Sequence, residues 1–127
     1  MLLSKGIDSN LIKHTEDFKN MYSVGFCGDE DIEYLSDQNI DGLKILNVDK
    51  DEFVKAFDYL LNLRKEPLSV PNEVLLYLIA LKAKGDGIKV LLSGEGADEI
   101  FGGYDRIFTW AANNQNFDLE SFLKLYA

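Results

Sequence analysis

Two stretches of this 127-residue chain combine residue types that together handle an anion. The first is Leu2-Leu3-Ser4-Lys5-Gly6-Ile7-Asp8-Ser9-Asn10. The second is Leu91-Leu92-Ser93-Gly94-Glu95-Gly96-Ala97-Asp98-Glu99-Ile100-Phe101-Gly102-Gly103-Tyr104. Each passes from an apolar run through a serine–glycine turn into a helix start that bears carboxylates. Glycine lets backbone N–H groups approach an anion closely, and a helix N-terminus adds a partial positive charge. The hydroxyls of Ser4, Ser9 and Ser93 are donors suited to phosphate oxygens. Neither stretch carries the Gly-Lys-Ser/Thr triplet, four residues after a glycine, that marks a Walker loop.

The elements that must hold these turns alternate between short apolar runs and helical periodicity. Met1-Leu2-Leu3, Met21 to Phe26, Leu43 to Val48 and Ile88 to Leu92 read as four strands. Asn10 to Asn20 reads as a helix with Asp8 or Ser9 as its N-cap, and Asp29 to Ser36 as a short one. Asp49 caps a longer helix that carries Phe53, Phe57, Leu60, Leu61 and Arg64. Pro71 suits the first turn of the next, with Gly85 as its stop. Asp118 to Ala127 reads as a last helix. Strands separated by such helices imply βαβ units and an α/β fold: an open, mostly parallel sheet of about four strands, in order 3-2-1-4. Sheets of this kind bind ligands beyond the carboxyl ends of their strands, here between the first and fourth.

The length is that of one ordinary domain, taken as residues 1–127, without repeats or linkers. Thirteen basic against 22 acidic residues give a formal charge of −9, which argues against nucleic acid or an anionic membrane as partner. The single cysteine, Cys27, excludes an internal disulfide framework and a Cys-rich zinc site. No apolar run approaches the roughly 18 residues of a membrane span, and no signal-peptide pattern opens the chain, so the cytoplasm is the expected compartment.

Ser4-Lys5-Gly6-Ile7-Asp8-Ser9 resembles the pyrophosphate-binding loop of the ATP pyrophosphatase (PP-loop) superfamily, usually Ser-Gly-Gly-x-Asp-Ser. The twelve residues Ser93 to Tyr104 resemble the Ser-Gly-Glu-Gly-Ser/Ala-Asp-Glu-x-Phe-Gly-Gly-Tyr signature of asparagine synthetase synthetase domains. Tyr22-Ser23-Val24-Gly25-Phe26 and Glu66-Pro67-Leu68 stand in the order that resemblance requires, which covers about residues 2 to 108. The fold it implies is of the adenine nucleotide alpha hydrolase type.

The activity it implies is that of an ATP-dependent amidoligase. Family members adenylate the side-chain carboxylate of aspartate, release pyrophosphate, and let ammonia displace AMP. In an acidic pocket the leaving pyrophosphate needs a divalent cation, and Mg2+ favours one or two carboxylates with phosphate oxygens and water. Asp8 and Asp98, each a few residues beyond its strand, are the expected ligands. By the same resemblance Ser4, Gly6, Asp8 and Ser9 cradle the pyrophosphate end of ATP, and the backbones of Leu3 and Val24 meet the adenosine part. Ser93, Gly94 and Gly96 complete the nucleotide site. Glu95 lies near the acceptor or its adenylate, Tyr104 shapes the same pocket, and Arg106 is a weaker suggestion for a phosphate-side cation.

Three departures from the family stand out. Lys5 occupies a usual glycine position, where positive φ would strain it by roughly 1–3 kcal/mol, or where its ammonium would meet a phosphate. Asn47-Val48-Asp49 replaces a His-rich Asp-His-His-Glu stretch, and the sole histidine, His14, lies elsewhere. Leu2 stands where the family's glutaminase domain has its cysteine nucleophile, so no glutamine hydrolysis is expected of this chain. The family's C-terminal helical part and its lysine are not in the sequence either, so a partial synthetase domain, weak or inactive by itself, is expected. A separate glutaminase or C-terminal polypeptide is then a partner.

Plainer readings stand beside these. Asp8 and Asp98 are also good helix N-caps, Cys27 reads as an inert packed thiol, and His14 as a surface residue. Asp29, Glu30, Asp31 and Glu33 read as a solvated helix face, and Trp110 with Phe108 and Phe117 as core or a bared surface. An amidoligase for another carboxylate, and a non-catalytic interaction domain, are the alternative functions.

Overall fold

The computed structural model describes residues 1–114 and 116–125, which form two compact units, Met1–Gly94 and Glu95–Ala127. In the first, α1 (Ile7–Lys13), β1 (Met21–Phe26), α2 (Glu30–Asp37), β2 (Leu43–Val48), α3 (Lys50–Arg64) and α4 (Asn72–Gly85) follow in order. β1 and β2 pair in parallel from Met21 opposite Leu43 to Phe26 opposite Val48. Side chains alternate across such a strand, and the core divides accordingly. Met1, Leu3, Met21 and Leu35 pack on the face covered by α2. Tyr22, Ile79 and Ala83 pack on the face covered by α4, with Leu2, Val24, Leu46, Ile88 and Leu91 around them. Helices on both faces of a parallel sheet make the unit α/β.

Two expected strands are not strands here. Leu2 makes only an isolated parallel bridge to Tyr22, with Leu3 N–H donating to the Tyr22 carbonyl at 2.8 Å and Tyr22 N–H to the Met1 carbonyl at 2.9 Å. The 88–92 segment meets Leu2 through one bond, Leu2 N–H to the Leu92 carbonyl at 2.7 Å. The regular sheet therefore has two strands, β1 and β2.

Local chemistry explains the helix ends. Asp49 and Glu52 form a reciprocal capping box at the start of α3, and Asp29 accepts from the Asp31 N–H at the start of α2. The helix expected over 10–20 instead starts at Ile7 and ends at Lys13, because Gly6 takes the N-cap position. Asp86, at the C-terminus of α4, accepts from the buried Tyr22 hydroxyl and from Lys44, both at 2.8 Å, and from Lys82 at 3.2 Å.

The second unit holds α5 (Ala97–Phe101), α6 (Asp105–Asn113) and α7 (Leu119–Leu123). Residues 126 and 127 of the expected last helix lie outside the described residues. Trp110 packs edge-on to Phe117 and Phe122, with centroids 5.8 and 5.1 Å apart, so Phe122 rather than Phe108 completes that aromatic cluster. Among the described residues no helix is long and apolar enough to cross a membrane.

Candidate nucleotide site

Ser9 organises the first loop from inside. It is 6% exposed, and its hydroxyl lies 2.9 Å from the Ser4 hydroxyl and 3.1 Å from the carbonyls of Ser4 and Gly6. The Ser4 N–H donates to that same oxygen at 3.1 Å, and the Gly6 N–H donates to the Ser4 hydroxyl at 3.1 Å. The Asn10 amide then clamps the Ser4 and Gly6 carbonyls at 3.1 and 2.8 Å. Asn10 had no assigned role from its sequence. Its signal was an amide one turn past the glycine, within reach of that glycine's carbonyl.

The result is a closed loop that leads into α1 with its N–H groups forward. Those of Ile7, Asp8 and Ser9 stand in the first turn, where no intrahelical carbonyl reaches them. Asp8 is the second residue of the helix and makes no capping bond, so the N-cap reading of Asp8 falls. Its half-buried carboxylate accepts no hydrogen bond among the described residues, which leaves hard oxygen donors free, the kind Mg2+ takes. Lys5 has a negative φ, which removes the expected backbone strain. Its ammonium sits 3.4 Å from Asp31 Oδ1 and 5.8 Å over the Tyr34 ring, so Asp31 is a partner rather than part of a merely solvated face. Asp29 is a cap, and Cys27 is exposed rather than packed.

Ser93 and Gly94 belong to the same unit, and Gly94 brings its backbone onto the first loop. A Cβ there would stand 2.9 Å from the Asp8 Cβ and 3.3 Å from the Ser9 nitrogen, a space only glycine fills. Leu3 is buried at 2% exposure and Val24 is partly buried in β1 opposite Leu46. The first unit therefore brings Leu3, Ser4, Gly6, Asp8, Ser9, Ser93 and Gly94 into one neighbourhood.

The second unit builds its loop on the same local plan. Gly96, at φ +89°, takes the N-cap position of α5, and Asp98 is again the second helical residue with no capping role. The two glycines after α5 have separate causes. Gly102 turns at φ +81° against the Phe108 ring. Gly103 lies so near the Asp98 carboxylate that a Cβ would stand 1.6 Å from Oδ1. The Tyr104 hydroxyl donates to Glu99, and that bond, with burial and the charges of Glu99, Asp98 and Glu95, pushes its pKa up to about 12. Tyr104 therefore stays un-ionised with its hydroxyl hydrogen on Glu99, and Glu99 is held as a carboxylate below its ordinary range. Arg106 donates to the Leu125 carbonyl at 3.0 Å, and Glu95 is exposed. Among the described residues no group of three or more His, Cys, Asp or Glu side chains is arranged to hold a metal.

The asparagine synthase family model matches residues 1–124. A relative in Methanocaldococcus jannaschii is 35% identical over 119 residues, covering 84% of this chain and 21% of its own. Asparagine synthetase (glutamine-hydrolyzing) 1 of Bacillus subtilis is 36% identical over 115 residues, 81% of this chain and 18% of that protein. Asparagine synthetase (glutamine-hydrolyzing) 1 of Arabidopsis thaliana is 48% identical over 52 residues, 41% of this chain and 9% of that protein. No solved structure matches the chain significantly. The chain spans about a fifth of the length of the first two relatives. With its two glycine turns built as described and the family match running from residue 1 to 124, the chain belongs to the asparagine synthase family.

Proposed function

We propose that residues 1–127 are part of one synthetase domain that binds ATP and Mg2+ for amide formation on a carboxylate, aspartate being the leading acceptor and ammonia the nitrogen donor. The observation that supports this reading is the seating of Gly94, the second residue of the second signature, on Asp8 and Ser9. The bridge at Leu2 and its bond to Leu92 support the sheet order 3-2-1-4, with the nucleotide between the first and fourth segments.

In this reading the forward N–H groups of α1, with the Ser4 hydroxyl, hold the pyrophosphate end of ATP, and Ser9 keeps that cradle in shape. Leu3 and Val24 border the adenosine, with Ser93, Gly94 and Gly96 along the phosphates. A carboxylate oxygen of the acceptor attacks the α-phosphorus while its bond to pyrophosphate breaks. Ammonia then attacks the acyl carbon, AMP leaves, and one ammonia proton is released. Mg2+ held by Asp8 and Asp98 would neutralise charge gathering on the departing pyrophosphate. Glu95 faces the acceptor end, and Tyr104, held un-ionised on Glu99, shapes the same pocket. A separate glutaminase or C-terminal polypeptide would supply ammonia or the remaining groups.

Lys5 lies outside the positive-φ region, so its backbone gives no strain that would favour a non-catalytic domain. Titration of the chain with ATP, with and without Mg2+, followed by assay for AMP and pyrophosphate with aspartate and ammonia, tests the proposal. Tighter binding with the metal is the expected result. Nucleotide binding indifferent to the metal would refute the carboxylate pair.

A further inference from the structure

Lys5 is the one residue of the pyrophosphate loop whose long cationic side chain leaves the loop altogether. Its ammonium rests 3.4 Å from Asp31 Oδ1 and 5.8 Å above the Tyr34 ring, both on α2, and both members of the ion pair are half-exposed, at 50% and 57%. The helix that holds these partners is fixed against the sheet. Ile32 and Leu35 are buried, and a Cβ at Gly25 of β1 would stand 2.6 Å from Ile32. The docking place is therefore rigid, and the lysine is the movable member.

An exposed ion pair of this kind is weakly held, whereas an ammonium on a phosphate makes charge-assisted bonds. Lys5 is flanked by Ser4 and Gly6, so its flexible four-carbon stem is rooted at the cradle those residues form. We infer that Lys5 is a reserve phosphate-binding residue: docked on Asp31 and Tyr34 when the loop is empty, and transferred to the terminal phosphates when nucleotide enters. This rests on the ATP reading above and deepens it. Asp31 then competes with the ligand for the cation, and its removal favours binding.

The test is MgATP titration of the full chain and its Lys5→Gln, Lys5→Arg, Asp31→Asn and doubly substituted Lys5→Gln/Asp31→Asn forms, with circular dichroism as a check on folding. Lys5→Gln is expected to weaken MgATP about tenfold and Lys5→Arg to restore most of the loss. Asp31→Asn is expected to tighten it about threefold, an advantage absent when Lys5 is also glutamine. Unchanged affinity in Lys5→Gln, or weaker binding in Asp31→Asn, overturns the transfer while leaving the ATP site intact. Absence of MgATP binding by the unsubstituted chain overturns both readings together.

Discussion

Gly94 lies so close against Asp8 that a Cβ on the glycine would stand 2.9 Å from the Asp8 Cβ. The position is constrained on a second side by the Ser9 nitrogen at 3.3 Å. Those neighbours are a β-carbon and backbone, which do not yield as the tip of a long side chain does.

Gly94→Ala is therefore expected to separate the turns rather than be absorbed. Overpacking of this kind costs about 1–3 kcal/mol, which corresponds to a loss of about 5- to 150-fold if it falls on ligand binding. Calorimetric titration with MgATP, paired with a thermal melt, measures how the cost divides. Reduced affinity with the fold retained is the expected outcome.

The polar cluster on Asp86 makes the fold sensitive to acid. Hydrogen bonds from Lys44, Tyr22 and Lys82 hold the Asp86 carboxyl far below the ordinary carboxylate range. A carboxylate with a depressed pKa stabilises the fold above its unfolded value, about 3.9, and that contribution is lost as pH falls below it. Thermal melts should show a falling midpoint below about pH 4 that is flattened in Asp86→Asn. At neutral pH, Tyr22→Phe removes one donor from this cluster and should cost about 1 kcal/mol in denaturant unfolding.

Lys65 closes α3 in the left-handed region at φ +61°, a conformation that favours glycine. Lys65→Gly is expected to stabilise the chain by about 0.5–1 kcal/mol, read as a higher unfolding midpoint without change in nucleotide affinity. A lower midpoint would mean that the lysine side chain contributes more than its backbone costs.

Much of this arrangement was legible from residue types. β1 and β2 read directly from their apolar runs, and α3 from Asp49 and its periodic Phe53, Phe57, Leu60 and Leu61, because capping and periodicity are local. The 88–92 run is apolar, yet it meets Leu2 through one backbone bond, and pairing with a distant segment is not expressed in local sequence. α1 was misplaced because Asp8 and Ser9 are both cap-forming types, while Ser9 spends its hydroxyl on Ser4 and Gly6. α6 was missed because Ile107, Phe108, Thr109 and Trp110 are β-branched or aromatic types that favour strands. At the site, the identity of Lys5 was visible and its φ was not. Strain is a property of the backbone, and the Asp31 partner lies 26 positions away in sequence.

We propose that Asp8 and Asp98 serve one magnesium ion on ATP. A double-substitution cycle with Asp8→Asn, Asp98→Asn and both together, read as the gain in ATP affinity on adding Mg2+, tests it directly. If the two carboxylates share an ion, each single variant loses about tenfold of that gain, and the double variant loses clearly less than the product of the two. Independent, multiplicative losses, or a metal effect untouched by either substitution, would contradict it.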